Sequence, residues 1–140
     1  MTYTIHIDGG SRGNPGPAAA GFIVTDEHGT TIHEQGVFLG RLTNNQAEYH
    51  GVIVALEWMS HFVSRDGSTP QSMTVVLDSE LLVNQLTGVL KIKTEELRRL
   101  AIDAKSLERT LRVPIAYRHV RREENAEADR LVNAALDQVN

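Results

Sequence analysis

The hydrophobic period changes once within residues 31–63, TIHEQGVFLGRLTNNQAEYHGVIVALEWMSHFV. Thr31 to Leu39 reads as a strand. Past Thr43-Asn44-Asn45, which supplies candidate N-caps, Ala47, Val54, Ala55, Trp58 and Phe62 follow helical spacing. The spacing predicts a helix from about Asn45 to Val63. Gly51 inside it costs about 1 kcal/mol against alanine, which points to close packing there.

Upstream, Tyr3, Ile5 and Ile7 alternate with Thr4 and His6, so residues 3–8 read as a strand, followed by dense turn chemistry in DGGSRGNPGP (8–17). Ala18 to Asp26 is a further strand, joined to Thr31–Leu39 by a turn around Glu27-His28-Gly29. Three strands with short links predict an antiparallel meander. Downstream, residues 65–71 form a loop, Met73–Leu77 a short buried strand, and residues 79–87 a helix ending at Gly88. Thr94 caps a longer helix whose apolar face runs Leu97, Leu100, Ala101, Ala104, Leu107, Leu111. Val113–Val120 is a fifth strand, and Asn125 caps a last helix with Leu131, Val132, Ala135 and Leu136 inward. The order βββαβααβα implies an α/β fold: a five-stranded mixed sheet with helices on both faces.

The chain has 140 residues, 41% hydrophobic and 23% charged, which predicts one soluble domain over 1–140. It has no cysteine, which excludes disulfides, zinc–thiolate sites, iron–sulfur clusters and thiol nucleophiles. That composition fits a reducing compartment, and a cytoplasmic location is the expectation. No stretch approaches the ~18 apolar residues of a membrane span, so no membrane partner is expected. The net charge of −4 hides an asymmetry: residues 1–90 carry −6 and residues 91–140 carry +2. A polyanion would meet the second half, and something cationic could sit near the first.

Carboxylates supply that opportunity. Ile5-His6-Ile7-Asp8-Gly9 and Val75-Val76-Leu77-Asp78-Ser79 are both apolar strands ending in Asp. If these strands are parallel neighbours, both carboxylates emerge at the sheet edge where ligands gather. Two such groups repel, and a divalent cation keeps both ionised. Glu48 and Asp129 sit early in their helices, where a carboxylate also suits the helix dipole. Asp129 shares a helix face with Ala126, Val132 and Asn133, so it points inward and needs a partner. The remaining histidines are scattered without metal-ligand spacing, and the glycine-rich 8–16 segment lacks the Lys-Ser/Thr ending of a phosphate loop.

Together, Asp8-Gly9-Gly10-Ser11-Arg12-Gly13-Asn14-Pro15-Gly16, Thr43-Asn44-Asn45-Gln46-Ala47-Glu48, Leu77-Asp78-Ser79 and Asn125-x-x-Ala128-Asp129 resemble the signature segments of the type 1 ribonuclease H family, in its order and at its spacing. The resemblance implies a ribonuclease H-like fold and hydrolysis of the RNA strand of an RNA–DNA hybrid, leaving 3′-hydroxyl and 5′-phosphate ends. It implies that Asp8, Glu48, Asp78 and Asp129 hold two Mg²⁺ ions, with Mn²⁺ as a substitute and Asp8 between the ions. Such pairs sit about 3.5–4 Å apart, one activating water and the other stabilising the leaving oxygen. It further implies that Asn14, Asn44 and Asn45 meet the RNA strand in the minor groove, where amides suit 2′-hydroxyls. Arg41 and Thr43 match positions near a phosphate of the DNA strand.

The chain departs from longer family members in three places. Only Gly88 to Thr94 separates the two middle helices, without the basic insertion that grips the duplex, so Lys91 and Lys93 carry that contact together with Arg41, Arg121 and Arg122. His119 precedes Val120-Arg121-Arg122-Glu123-Glu124-Asn125, as in a short, archaeal-like subgroup, and reads as a strand residue. Glu80 stands where longer members often carry a glutamine that contacts RNA. No protein partner is implied, and a monomer is the expectation. Rival readings are another nuclease of the same fold, such as a resolvase, transposase or exonuclease, and a non-catalytic hybrid-binding module. The Thr43–Glu48 segment speaks against the first. Four carboxylates beside phosphates speak against the second, because binding alone gains nothing from them.

Overall fold

A computed structural model describes residues 1–67 and 69–139. The elements are β1 (Thr2–Ser11), β2 (Gly16–Asp26), β3 (Thr31–Leu42), α1 (Asn44–Asp66), β4 (Ser72–Leu77), α2 (Glu80–Leu86), α3 (Glu95–Leu111), β5 (Ile115–His119) and α4 (Ala126–Asp137), with a single 3₁₀ turn at Arg122–Asn125. The sheet order is β3-β2-β1-β4-β5. The meander β1–β2–β3 is antiparallel, while β4 and β5 add in parallel. The expected βββαβααβα order and mixed sheet are therefore present.

Several boundaries differ from the sequence reading, each for a tertiary reason. The 8–17 stretch is not all turn: Asp8, Gly9, Gly10 and Ser11 stay in β1 because β2 pairs with them through Ala18. The turn shrinks to residues 12–15, closed by the Arg12 N–H donating to the Pro17 carbonyl at 2.8 Å. Helix α1 runs on to Asp66 and stops at Gly67, whose φ of 77° only glycine adopts freely. The expected loop over 65–71 is thus shorter, and its residue 68 lies outside the described residues. Strand β5 begins after Pro114, which has no N–H to give a ladder.

Helices cover the two sheet faces unequally. On one side α1 packs on β1 and β2 and is itself covered by α3, around Ile5, Ile7, Phe22, Val52, Leu56, Met59 and Val75. Burial on two sides explains why α1 is apolar well beyond a single stripe. On the other side α4 lies across β2 and β3 over a small core of Ala19, Val132, Ala135 and Leu136. Among the described residues no helix is long and apolar enough to cross a membrane.

Two glycines set the distances that matter for the site. A Cβ on Gly9 would lie 2.5 Å from the Ala47 carbonyl carbon and 2.7 Å from the Glu48 nitrogen, so the start of α1 rests directly on β1. Gly51, one turn on, is packed as its cost suggested: a Cβ there would sit 2.9 Å from Ile7 Cγ2. A Cβ on Gly21 would lie 2.7 Å from the Ala128 carbonyl oxygen. Gly21 is the cross-strand partner of Asp8, so the helix residue that follows Ala128, Asp129, is set down beside Asp8.

Candidate active site

Asp8, Glu48, Asp78 and Asp129 line one cavity of about 450 Å³, together with Ser79, Arg12, Arg122 and Asn133. They come from β1, from α1 just past its first turn, from the residue after β4 and from the first turn of α4. The parallel register Thr2↔Ser72 to His6↔Val76, carried two residues on, sets Asp8 opposite Asp78. The β1–β4 ladder ends before these carboxylates, although β1 itself does not: on its other edge the pairing with β2 continues through Ser11. "Strand ending in Asp" thus holds for Asp78 and is corrected for Asp8.

Burial and mutual repulsion shape the charges. Asp8 is 9% exposed. Its carboxyl is pushed up to about 8 by burial first, then by the Asp78 charge and by a hydrogen bond and charge from Asp129, against the Gly9 N–H. Glu48 is pushed up to about 7, mainly by burial and further by Asp78; the Ser79 hydroxyl and the Arg122 guanidinium oppose this. Burial raises Asp78 as well, with Arg122 and Asn125 holding it down and Asp129 pushing it up. Ser79 also caps α2, accepting from the Leu82 N–H at 3.2 Å.

An all-oxygen donor set in which burial and neighbouring charge raise Asp8, Glu48 and Asp78 fits a hard divalent cation. Among the described residues no three carboxylate or imidazole groups converge closely enough to enclose an ion unaided. An open set of this kind suits Mg²⁺, which keeps several waters and shares its shell with substrate oxygens.

The shifts have a sign that can be tested. Asp8 and Glu48 start from 3.8 and 4.5 when unfolded and rise on folding, so the native state holds protons that the unfolded state has lost. Their contribution to metal-free stability falls from about pH 4 to about pH 8 and is constant above. In EDTA the melting temperature of wild type should drop between pH 5 and pH 8 more than that of Asp8→Asn. Millimolar Mg²⁺ or Mn²⁺ should restore it at pH 8. Parallel curves for the two proteins, indifferent to divalent ions at matched ionic strength, would count against a formed site.

The asparagines gather beside this cavity. Asn14, Thr43, Asn44 and Asn45 line a neighbouring groove with Thr94 and Leu97, and Asn44 borders both spaces. Of the candidate caps, Thr43 takes the role: its hydroxyl accepts from the Gln46 N–H at 3.2 Å, and Gln46 Oε1 accepts from the Thr43 N–H at 2.8 Å. Asn44 and Asn45 are thereby relieved of capping. Asn44 Oδ1 instead accepts from the Ser11 N–H at 2.9 Å, and Asn14 Oδ1 accepts from the Asn44 N–H at 3.0 Å. Asn125 stands at the N-cap position of α4, as expected, but its side chain makes no cap hydrogen bond. It is 1% exposed and donates from Nδ2 to the Ile7 carbonyl at 2.8 Å, tying the start of α4 to β1 just before Asp8.

Arg41 is exposed on β3, paired in register with Pro17. Lys91 and Lys93 are exposed on the α2–α3 link, and Lys93 precedes Thr94 at the groove. They line neither cavity. His119 is the last residue of β5, exposed, opposite Leu77, and Glu80 is exposed at the first position of α2. Sequence reasoning placed Arg122 only with the duplex-gripping cations and gave no part to Ser79 or Asn133. Ser79 was findable as an N-cap two residues past a strand and Asn133 by its place one helical turn after Asp129, whereas nothing local marks Arg122.

A family model described as reverse transcriptase-like matches residues 6–135. The bifunctional protein Rv2228c of Mycobacterium tuberculosis is 42% identical over 138 residues, 98% of this chain and 36% of its own length. Ribonuclease HI of Halobacterium salinarum is 41% identical over 132 residues, 94% of this chain and 63% of its own. The chain thus spans between about a third and two thirds of these curated relatives. The crystal structure of the Halobacterium RNase H1 superposes with a TM-score of 0.90 at 38% identity, covering 99% of both chains. An RNase H1 crystallised in complex with an RNA/DNA hybrid superposes at 0.92 with 40% identity, covering 98% of both. With near-complete coverage at this identity, the chain belongs to the type 1 ribonuclease H family.

Proposed function

We propose that residues 1–140 act as one ribonuclease H domain that hydrolyses the RNA strand of RNA–DNA hybrids, as a monomer and in the cytoplasm, leaving 3′-hydroxyl and 5′-phosphate ends. The observation that carries the reading is the meeting of Asp8, Glu48, Asp78 and Asp129 in one cavity bordered by Asn44. The complex of a similar RNase H1 with an RNA/DNA hybrid supports the substrate class. Asp8, Glu48, Asp78 and Asp129 would hold two Mg²⁺ ions, with Mn²⁺ as a substitute. When bound, the ions supply Lewis-acid polarisation of the reacting phosphate and neutralise its charge. The protein's part is positional. β1 and β4 aim Asp8 and Asp78, the two helix starts bring Glu48 and Asp129, and the asparagines hold the hybrid by its minor groove. Arg41 and Thr43 would meet a phosphate of the DNA strand.

The direct test is cleavage of end-labelled RNA in a hybrid, with duplex RNA and duplex DNA alongside, in Mg²⁺, Mn²⁺ or EDTA. Cutting of the hybrid's RNA strand that EDTA abolishes is the expected result. No cleavage in either metal overturns the reading.

Two further outcomes follow from the surroundings of the cavity. Lys91 and Lys93 lie off the carboxylates, so converting both to Ala should raise KM for hybrid with kcat little changed. Their loss should flatten the salt dependence by about 2 in log–log slope, if each meets one phosphate. An unchanged KM would put the duplex elsewhere. Asn45 is exposed and not engaged as a cap, so Asn45→Ala should lose about 1–3 kcal/mol of transition-state binding. The loss should shrink on a hybrid carrying a deoxyribonucleotide at the contacted position, since the 2′-hydroxyl is already gone. Strict additivity at every position would remove Asn45 from strand recognition.

A further inference from the structure

Asn133 stands one helical turn beyond Asp129, and Asp137 one turn beyond Asn133, so the three share a stripe of α4. Asn133 Nδ2 lies 3.2 Å from the Asp129 carbonyl and 3.3 Å from Asp129 Oδ2. Its Oδ1 accepts from Arg12 Nη2 at 3.4 Å, and the same Nη2 is 2.7 Å from Asp137 Oδ1. Arg12 belongs to the tight β1–β2 turn, so the turn that follows Asp8 in sequence is fastened to the helix that carries Asp129.

We propose that Asn133 is a positioning residue for Asp129, held in its working orientation by Arg12 and Asp137. An amide can point either end at a neighbour, and here both neighbours choose the same end. A flipped Asn133 would turn its NH₂ on the guanidinium and its oxygen on a carboxylate. Arg12 therefore dictates which end meets Asp129. The carboxylate torsion of an aspartate is broad when free. With Oδ2 engaged by Asn133, Asp129 holds one rotation at the wall of the cavity, beside Asp8. Arg12 and Asp137 are largely exposed, so their pair adds little stability; its effect is directional. The inference rests on the divalent-cation reading of the site.

The test is Mn²⁺ binding to the full chain, read by electron paramagnetic resonance of free Mn²⁺ and by calorimetry. Asn133→Ala should weaken Mn²⁺ binding about 10–100-fold, the range for partners that orient metal ligands. Its melting temperature in EDTA should stay within about 2 °C of wild type, as for a surface substitution. Hybrid cleavage by this variant should recover toward the wild-type rate as Mn²⁺ is raised, a rescue that a merely structural defect would not show. Arg12→Ala should weaken Mn²⁺ in the same direction by a smaller factor. The Arg12→Ala/Asn133→Ala double variant should be no weaker than Asn133→Ala, because the two act through one contact. Wild-type Mn²⁺ affinity in Asn133→Ala, or losses that multiply in the double variant, overturns the positioning role alone. A wild-type protein that binds no Mn²⁺ overturns the cation reading along with it.

Discussion

Asp8→Asn and Asp78→Asn should each reduce hybrid cleavage at least about 100-fold, roughly 2.7 kcal/mol of transition-state stabilisation, with the fold retained. Asparagine keeps the shape of the side chain and removes one negative charge. In the metal-free protein that removal is a relief, because Asp8 is buried against Asp78 and Asp129 and its carboxyl is already pushed up to about 8. In the proposed catalytic state it is a loss, because a neutral amide holds a hard cation far less well than a carboxylate. The two consequences have opposite signs. Asp8→Asn should melt higher than wild type in EDTA at pH 8, yet gain less from Mg²⁺ and cleave poorly. Single-turnover rates at saturating Mg²⁺, with circular dichroism as the check on folding, measure both. Retention of more than about a tenth of the wild-type rate by either variant would remove these residues from the chemistry.

Gly9→Ala carries the second large effect, and it acts on fold and site together. The added methyl would press on the Ala47 carbonyl and the Glu48 nitrogen. Those are backbone atoms near the start of α1 and cannot rotate away as a side chain could. Overpacking of this kind costs about 1–3 kcal/mol or more, so the melting temperature should fall by roughly 5–10 °C. The start of α1 moves if the clash is relieved, and Glu48 moves with it, so cleavage should fall at least about 10-fold. Gly10→Ala is the control, since its nearest neighbour would be Asn44 Oδ1 at 3.9 Å. Its melting temperature should stay within about 2 °C of wild type. Equal melting of Gly9→Ala and wild type would mean that α1 does not rest on β1 as described.

Much of this architecture is written locally. Alternation at Tyr3, Ile5 and Ile7, the turn at Glu27-His28-Gly29 and the helical spacing after Thr43 are properties of neighbouring residues. They specify βββαβααβα without knowledge of what packs on what. The same holds for the carboxylates, which announce themselves near element ends: Asp78 after Leu77, Glu48 just past the first turn of α1, and Asp129 in the first turn of α4.

What only the tertiary structure decided concerns neighbours distant in sequence. β1 continues past Asp8 because Ala18–Ala20 of β2 are there to pair with Gly9–Ser11, although the sequence of that stretch is turn-rich. Asn125 stands at the cap position of α4, yet its side chain is drawn to the Ile7 carbonyl, 118 residues away. Arg122 acts on Glu48 and Asp78, and Arg12 reaches Asn133 and Asp137, because the sheet order places β1 between β2 and β4. Local pattern determines which elements form, since period and capping act over a few residues. Which side chains meet in the cavity depends on strand order and on two glycines, Gly9 and Gly21, that let α1 and α4 settle against the sheet. Those contacts join residues that no local window contains.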